Sequence, residues 1–426
     1  MGRAPHVESY FAASANPWPM HAPLAGTVDC DVCVVGGGIA GCSTALNLAE
    51  RGFSVVLLEE RSVGWGASGR SGAQAIFGVA CEQASLERLV GEADARRVWD
   101  VTVEGMALMR ERIKRERIAC DYVPGQVHVA IKPRQESELR AAVVRLHEKY
   151  DYRSVRILER DELRTAVSSE RYRLGMIDSN GGHIHPLNYT LGLAAAAERA
   201  GVRIFESTRA LTYEPGALVR VMTPRGEVRC RHLALCGNAY LGGVAPALAR
   251  KIMAVGTYIV ATEVLGADRA SALLPGNAAV TDINWVLDYF RRSADHRLLF
   301  GGRVSYSGID TVDTGRTTRA RMLAVFPELA DARIDFAWGG YVDITANRAP
   351  HFGRLEQNVY FLQGFSGHGI VLTGIAGQLL ATAIAGDAER FDVFARIPHR
   401  DFPGGTALRR PALVLAMLWY RLRDLL

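Results

Sequence analysis

The sequence predicts an α/β fold class in which a parallel-sheet domain built from βαβ units is interleaved with an α+β domain built on an antiparallel sheet. Two segments support the first part of this prediction, because residues 32–58 and 359–386 both read as an apolar strand, a glycine turn and a helix. A third observation supports the second part. The stretches between these segments contain a long helical pattern and several short strand-like runs, which are typical of an antiparallel sheet with helices beside it.

Composition and charge narrow the class of protein. The chain has 426 residues, of which 49% are hydrophobic and 22% charged, as in ordinary globular enzymes. The net charge is +5, but Lys and Arg are scattered among Asp and Glu, so we expect no nucleic-acid partner. The seven cysteines are an odd number, and the opening segment lacks the continuous apolar core of a secretory signal. We therefore predict free thiols and a cytoplasmic location.

The C-terminal tail contains one short apolar run. Residues 411–420 (PALVLAMLWY) are flanked by arginines on both sides and are too few to span a bilayer. We predict a short apolar helix here. It either packs on the body of the protein or contacts a membrane surface or another subunit.

The first glycine cluster has the spacing of a dinucleotide-binding turn. Gly36, Gly38 and Gly41 fit G-x-G-x-x-G between a β-branched strand and an Ala- and Leu-rich helix. Gly36 allows a tight turn, Gly38 lets the backbone approach a pyrophosphate, and Gly41 lets the helix pack closely on the strand. Glu59 ends the next strand, where an acid binds ribose hydroxyls. The alternative is a glycine-rich turn without a ligand, but this context favours a Rossmann-type domain.

Three later segments favour FAD over NAD. Residues 64–74 (GWGASGRSGAQ) form a small-residue loop whose backbone can run alongside a long ligand. Residues 232–240 read as a strand that returns to the first sheet and ends in a glycine turn. The helix that starts near Gly369 would direct its positive end at the negative charge of a reduced flavin. Each segment alone could be an ordinary loop or packing turn.

Four longer strings resemble the glycine/D-amino-acid oxidase (DAO) superfamily of flavoproteins. They are GGGIAGCSTALNLAERG, VVLLEERSVGWGASGRSGAQ, WGGYVDITANRAPHFGRL and QGFSGHGIVLTGIAGQL, and the resemblance covers nearly the whole chain. It implies FAD, two interleaved domains and oxidation of an amine, such as γ-glutamylputrescine, in polyamine or amino-acid catabolism. Some relatives attach the flavin through a cysteine near the segment written here YVDITANRAP. This chain has no cysteine there, so we expect noncovalent FAD.

The predicted cofactor-binding residues lie in the glycine turns, at the end of the second strand and in the loop that follows it. They are Gly36, Gly38, Ile39, Ala40, Gly41, Glu59, Glu60, Ala67, Ser68, Gly69, Arg70, Ser71, Gly72, Gly237, Gly367, His368, Gly369 and Ile370.

The domains are predicted to be discontinuous. The FAD-binding domain would comprise residues 28–80, 170–245 and 335–390. The substrate domain would comprise residues 81–169 and 246–334, with the tail at 391–426.

The substrate contacts are expected on the strand-like segment around Trp285, Tyr289 and Arg291, which share one face because side chains alternate along a strand. We predict that the tyrosine and the arginine bind a substrate carboxylate, the arginine through its bidentate fork. The alternative is an aromatic packing face with a surface arginine. His183 and His185 are interpreted as structural hydrogen-bonding residues, and no metal site is expected.

Flavin chemistry on an amine needs little acid–base apparatus, since the cofactor accepts hydride at N5 and water hydrolyses the imine to an aldehyde. We therefore assign no catalytic side chain and expect a small amine substrate, with O2 or a quinone as electron acceptor. One alternative is a D-amino-acid or secondary-amine dehydrogenase that passes electrons to a quinone. Another is a flavin-binding protein without catalysis.

Overall fold

The structure is a computed structural model that describes residues 5–305 and 314–402. Its helices in these ranges are α1 (Tyr10–Ala13), α2 (Ile39–Ala49), α3 (Gln83–Arg115), α4 (Pro133–Tyr150), α5 (Arg160–Leu163), α6 (Pro186–Arg199), α7 (Pro246–Ala249), α8 (Ala267–Leu273), α9 (Thr314–Val325), α10 (Gly369–Ile384) and α11 (Glu389–Ala395).

The strands in the same ranges are β1 (Gly26–Val35), β2 (Val55–Leu58), β3 (Gln74–Ala75), β4 (Val123–Ala130), β5 (Val155–Leu158), β6 (Leu174–His183), β7 (Arg203–Phe205), β8 (Thr212–Glu214), β9 (Val219–Thr223), β10 (Gly226–Leu235), β11 (Ile252–Thr262), β12 (Ala279–Asp282), β13 (Tyr289–Arg292), β14 (Leu298–Ser305), β15 (Ile334–Thr345), β16 (His351–Glu356) and β17 (Val359–Gln363).

The first sheet is a mainly parallel sheet with β1 near its centre. Its order is β16-β17-β10-β1-β2-β7, and the β8–β9 hairpin extends it from β10. The strands β7, β2, β1, β10 and β17 run parallel, whereas β16 is antiparallel to β17. Both faces of the end of β1 are buried, which suits its β-branched residues Val32, Val34 and Val35. The predicted α/β class with a parallel-sheet domain is confirmed.

Four helices cover one face of this sheet and share its core. Residues of α2, α3, α6 and α10 pack with those of β1 and β2. Gly105 of α3 lies so close to α10 that an added Cβ would be 3.0 Å from side-chain atoms of both Val371 and Ile375. Therefore α3, which falls inside the predicted substrate domain, belongs to the core of the first sheet.

The second sheet is antiparallel except where β12 pairs with β4. Its order is β15-β11-β14-β13-β12-β4-β6-β3, and β5 pairs with β6. Phe290 of β13 and Phe300 of β14 stack across neighbouring strands with ring centroids 5.5 Å apart. They share a core with residues of α8 and α9. The predicted antiparallel substrate sheet is confirmed.

The sheet pairings differ from the predicted domain boundaries in two places. Strand β6 (Leu174–His183) and strand β15 (Ile334–Thr345) pair within the second sheet, although the predicted FAD-domain pieces 170–245 and 335–390 include them. The chain returns to the first sheet only after these strands. Apolar strands look alike in either sheet, so local sequence does not show which partner a strand takes.

In the described ranges, no single helix is both long and apolar enough to cross a membrane, and only the pair α10 and α11, bent by 118°, meets that criterion jointly. The tail predicted at 391–426 begins with α11. The predicted apolar helix at 411–420 lies outside the described residues.

The packing of α2 against the preceding turn gives a first prediction. A Cβ at Gly41 would lie 1.8 Å from the carbonyl oxygen of Gly36, so Gly41→Ala forces the helix away from the turn. We expect the free energy of unfolding to fall by roughly 1–3 kcal/mol, the usual cost of overpacking. Gly243→Ala is the matched control, because no atom lies within 4 Å of its added Cβ. Equal thermal stability of the two variants would contradict this packing.

Candidate functional site

A cavity of about 910 Å³ lies between the two sheets. Its walls include the ends of β1, β2 and β10 on one side and residues of β12, β13 and β15 on the other. This volume is near the upper end of the roughly 300–1,000 Å³ range of small-molecule sites. The cavity is therefore large enough for a long ligand or for two ligands side by side.

The glycine turn forms the first-sheet end of the cavity. Gly36 has φ +111°, and a Cβ added there would lie 2.8 Å from the carbonyl oxygen of Cys236 on the neighbouring strand. Gly38 is the N-cap of α2 and provides no side-chain cap. The hydroxyl of Ser68 accepts a hydrogen bond from the Ile39 N–H (3.0 Å). The turn thus packs closely on its neighbours without side chains and places the positive end of a helix at the cavity.

Glu59 lines the cavity beside this turn. Its carboxylate accepts hydrogen bonds from the N–H groups of Gly37 (2.7 Å) and Arg61 (2.8 Å). Burial raises the pKa of Glu59 to about 7, although these two hydrogen bonds oppose the shift. An acid at the end of β2 can accept hydrogen bonds from the hydroxyls of a ribose.

A second helix begins at the same cavity. Helix α10 starts at Gly369, and its N-cap His368 provides no side-chain cap. The preceding turn is held by Asp343, whose carboxylate accepts hydrogen bonds from the N–H groups of Gly364 and Phe365. Burial raises the pKa of Asp343 to about 6. Two helix N-termini, distant in sequence, therefore meet one cavity.

The second-sheet end of the cavity is aromatic. The ring of Tyr289 lies between two glycines, since Cβ atoms added at Gly72 and Gly301 would be 2.4 and 2.3 Å from it. Trp285 also lines this end, as does His128 of β4. Burial lowers the pKa of His128 to about 4, so its imidazole is uncharged at neutral pH. This end offers apolar surface with few charges.

The structure brings most of the predicted cofactor residues together in the lining of this cavity. They are Gly36, Gly38, Ile39, Ala40, Glu59, Glu60, Ala67, Ser68, Ser71, Gly72, Gly237, Gly367, His368, Gly369 and Ile370.

Three predicted cofactor residues lie outside the lining. Gly41 and Gly69 sit behind it, each at a close approach of backbone segments. Arg70 is the third. Its guanidinium donates to the carbonyl of Trp65 (3.0 Å from Nε) and stacks on that ring, with Cζ 4.3 Å from the centroid. The buried guanidinium of Arg70 thus contacts other protein groups and does not line the cavity.

Arg291 is also placed differently from the prediction. Trp285 and Tyr289 line the cavity, but Arg291 does not, and only 4% of it is exposed. Its Nη2 donates to the carbonyl of Ile184 (2.8 Å), and its Nη1 lies 3.2 Å from Nδ1 of His183. Strand β13 begins only at Tyr289 and Trp285 lies in the turn before it, so the predicted alternation from Trp285 to Arg291 along one strand is wrong. Arg291, two residues beyond Tyr289, is covered by protein.

The two histidines have the structural role that was predicted. Nε2 of His183 is 2.9 Å from the carbonyl of Asn277, and Nδ1 of His185 accepts the N–H of Asn188 (3.1 Å). Within the described residues, no group of three or more His, Cys, Asp or Glu side chains converges as metal ligands do.

Sequence reasoning missed several residues of the lining, notably His128, Tyr240, Tyr341 and Arg348. A signal existed for His128, because it is the one polar residue between valines in the strand QVHVA. No local signal distinguishes Arg348 from the other arginines. It reaches the cavity because of a turn that follows β15.

Comparison with known proteins agrees with this geometry. Residues 31–383 match the family model described as DAO, FAD dependent oxidoreductase. The chain is 42% identical over 420 residues to gamma-glutamylputrescine oxidoreductase of Escherichia coli, covering 98% of both chains. It is 38% identical over 424 residues to the probable oxidoreductase OrdL of Haemophilus influenzae, covering 98% of this chain and 97% of the relative.

Solved structures share the fold at lower identity. L-proline dehydrogenase from P. horikoshii has a TM-score of 0.70 at 20% identity, and glycine oxidase from Bacillus cereus has a TM-score of 0.70 at 22% identity. In each case 87% of this chain and 99% of the other are covered. The chain therefore belongs to the DAO family of FAD-dependent oxidoreductases, which its longer sequence strings resemble.

Proposed function

We propose that the enzyme oxidises the primary amine of γ-glutamylputrescine or a similar amine, using noncovalent FAD. The observation that supports this most is that one cavity is lined by two helix N-termini and by the aromatic end of the second sheet. A relative of nearly equal length, 42% identical, is named gamma-glutamylputrescine oxidoreductase. The first-sheet end suits the cofactor and the second-sheet end suits the amine.

The residues of the first-sheet end fit FAD. The Gly36–Gly38 turn has no side chains where a diphosphate would lie, and the N-terminus of α2 provides N–H groups for it. The hydroxyl of Ser71 is buried and has no hydrogen-bond partner in the described residues, so it is available to a ligand in the cavity it lines. Glu59 would accept from the ribose hydroxyls, and the N-terminus of α10 would stabilise negative charge on a reduced flavin.

The cysteines favour noncovalent attachment. Of the cysteines, all of which lie in described residues, Cys236 is the one that lines the cavity, and it lies beneath the Gly36 turn. Burial raises the pKa of its thiol to about 12. A protonated thiol is a poor nucleophile, so Cys236 is not suited to attach a flavin.

FAD supplies the hydride acceptor for the C–H bond next to the amine nitrogen. The protein must hold the amine uncharged, because an ammonium does not give up hydride. Burial lowers the pKa of His128 to about 4 and that of His368 to about 3, so both imidazoles are neutral and can accept an amine N–H. The apolar surroundings of Trp285 and Tyr289 also disfavour an ammonium. The imine that forms is hydrolysed to an aldehyde, and O2 or a quinone is the final electron acceptor.

Anaerobic mixing tests the function. We expect γ-glutamylputrescine to bleach the oxidised flavin band, because its amine end reaches the apolar end of the cavity, and we expect D-alanine and sarcosine to leave the band unchanged. Peroxide formed after O2 is admitted distinguishes oxygen from a quinone as acceptor. Bleaching by D-alanine alone, or by no amine, would contradict the proposal.

Glu59 gives a pH prediction for cofactor binding. With a pKa of about 7 in the free protein, this carboxyl is largely protonated below neutral pH, whereas ribose hydroxyls donate best to the ionised form. The affinity of apoprotein for FAD is therefore expected to rise roughly tenfold from about pH 6 to about pH 8. In Glu59→Gln, which cannot ionise, FAD should bind more weakly and with no such slope. Equal slopes in both proteins, measured by quenching of flavin fluorescence, would rule out this role.

A further inference from the structure

We propose that Arg321 is a positioning residue, which fixes the loop of residues 283–288 against the substrate end of the cavity and thereby determines how tightly the amine binds. This inference rests on the proposed function, which assigns that end of the cavity to the amine. Arg321 lies on α9 and does not line the cavity, so it acts on the substrate only through the loop.

The 283–288 loop connects β12 to β13 and forms one wall of the cavity. The two strands pair antiparallel on either side of it. The loop residues that line the cavity are Ile283, Asn284, Trp285 and Leu287. Val286, in contrast, is buried in the protein and does not line the cavity. The position of this loop therefore sets the width of the substrate end.

The base of the loop is closed by Asp282. Its N–H donates to the carbonyl of Asp288 (2.9 Å), and its carboxylate accepts from the N–H groups of Asn284 (3.0 Å) and Asp288 (3.1 Å). Both aspartates are buried. Burial and the nearby charge of Asp288 raise the pKa of Asp282 to about 7. Two buried acids side by side repel each other when ionised, and an adjacent cation relieves that repulsion.

Arg321 supplies such a cation from α9. Its Nε donates to Oδ1 of Asp288 (2.6 Å), and its Nη2 donates to the carbonyl of Val286 (2.8 Å). Burial raises the pKa of Asp288, and the charge of Arg321 opposes that shift. The loop also packs on β14, where a Cβ added at Gly302 would lie 2.9 Å from the carbonyl oxygen of Leu287. One guanidinium thus binds the loop through both a side chain and the main chain.

The effect of removing Arg321 follows from this pairing. The Asp288 carboxylate would stay buried without its paired charge, which strongly destabilises the local structure. The loop relieves this cost when Asp288 moves towards water, and Trp285 then moves with it. The glycine turns assigned to the flavin belong to the first sheet, whereas α9 packs on β11, β14 and β15 of the second. The flavin should therefore stay bound, and the effect should fall on the amine.

The first test measures oxidation of γ-glutamylputrescine by flavin-loaded Arg321→Gln. We expect KM to rise about tenfold or more and kcat to change less than about threefold, because the loop binds the amine while the flavin accepts the hydride. Arg321→Lys keeps the charge and should recover part of the loss. Arg319→Gln is the matched control on the same helix, because its guanidinium donates to the carbonyl of Ala330 and not to the loop.

A double variant separates charge pairing from general packing. When Asp288→Asn is combined with Arg321→Gln, both charges are removed and no buried charge is left unpaired. We expect KM of the double variant to return to within about threefold of wild type, since the two residues act as a coupled pair.

Hydrogen exchange on flavin-loaded protein gives a readout without turnover. We expect the peptide that contains residues 283–288 to exchange about tenfold faster in Arg321→Gln than in wild type or Arg319→Gln, with the first sheet unchanged. Unchanged exchange or KM in Arg321→Gln, equal changes in Arg319→Gln, no recovery in the double variant, or loss of flavin from Arg321→Gln would overturn the proposal. If wild type does not oxidise γ-glutamylputrescine, the proposed function fails, and exchange alone decides the role of Arg321.

Discussion

The rest of the structure depends on one constraint, which is that main-chain N–H groups of two separate turns must reach the same cavity. The turn after β1 and the turn after β17 both lie at the carboxyl ends of parallel strands, so their helices begin at the same edge of the sheet. A side chain at Gly36 would push the turn away from the neighbouring chain, because its Cβ would lie 2.8 Å from the carbonyl oxygen of Cys236. The close packing of α2 on its turn and the capping of the α10 turn by Asp343 keep these amides in place.

The second sheet completes the site by closing the other side. Tyr289 fits only because Gly72, on the loop after β2, and Gly301, on the neighbouring strand, lack side chains. The N-terminal segment joins the two parts of the molecule. The ring of Phe11 lies 5.5 Å from that of Trp338 in β15, and the indole of Trp338 donates to the carbonyl of Arg70 (3.0 Å). Arg291 also packs against Phe11, with its Cζ 5.5 Å from the centroid of the Phe11 ring. Because Phe11 covers it, Arg291 is part of this junction and does not face the cavity.

The sequence predicts those parts of the site that are local. The glycine spacing, the following helix and Glu59 lie within one strand–helix–strand unit, so their geometry follows from short-range rules, and the structure places them together. Strand alternation also predicts the face of Tyr289. Strand alternation does not predict how far the cavity extends along β13, because the extent of the cavity depends on the packing of α1 over Arg291. The position of Arg348 depends likewise on a turn fixed by contacts to Pro398, and the sheet to which β6 and β15 belong depends on pairings across long sequence separations.

The central claim is that main-chain amides from distant segments hold a flavin nucleotide without a covalent bond. The most direct measurement is the visible spectrum of the protein purified without unfolding, followed by acid precipitation and identification of the released cofactor. The account predicts a yellow protein that gives up its colour to the supernatant as FAD. A colourless protein that does not take up added FAD, or a flavin that stays with the precipitated chain, would contradict it.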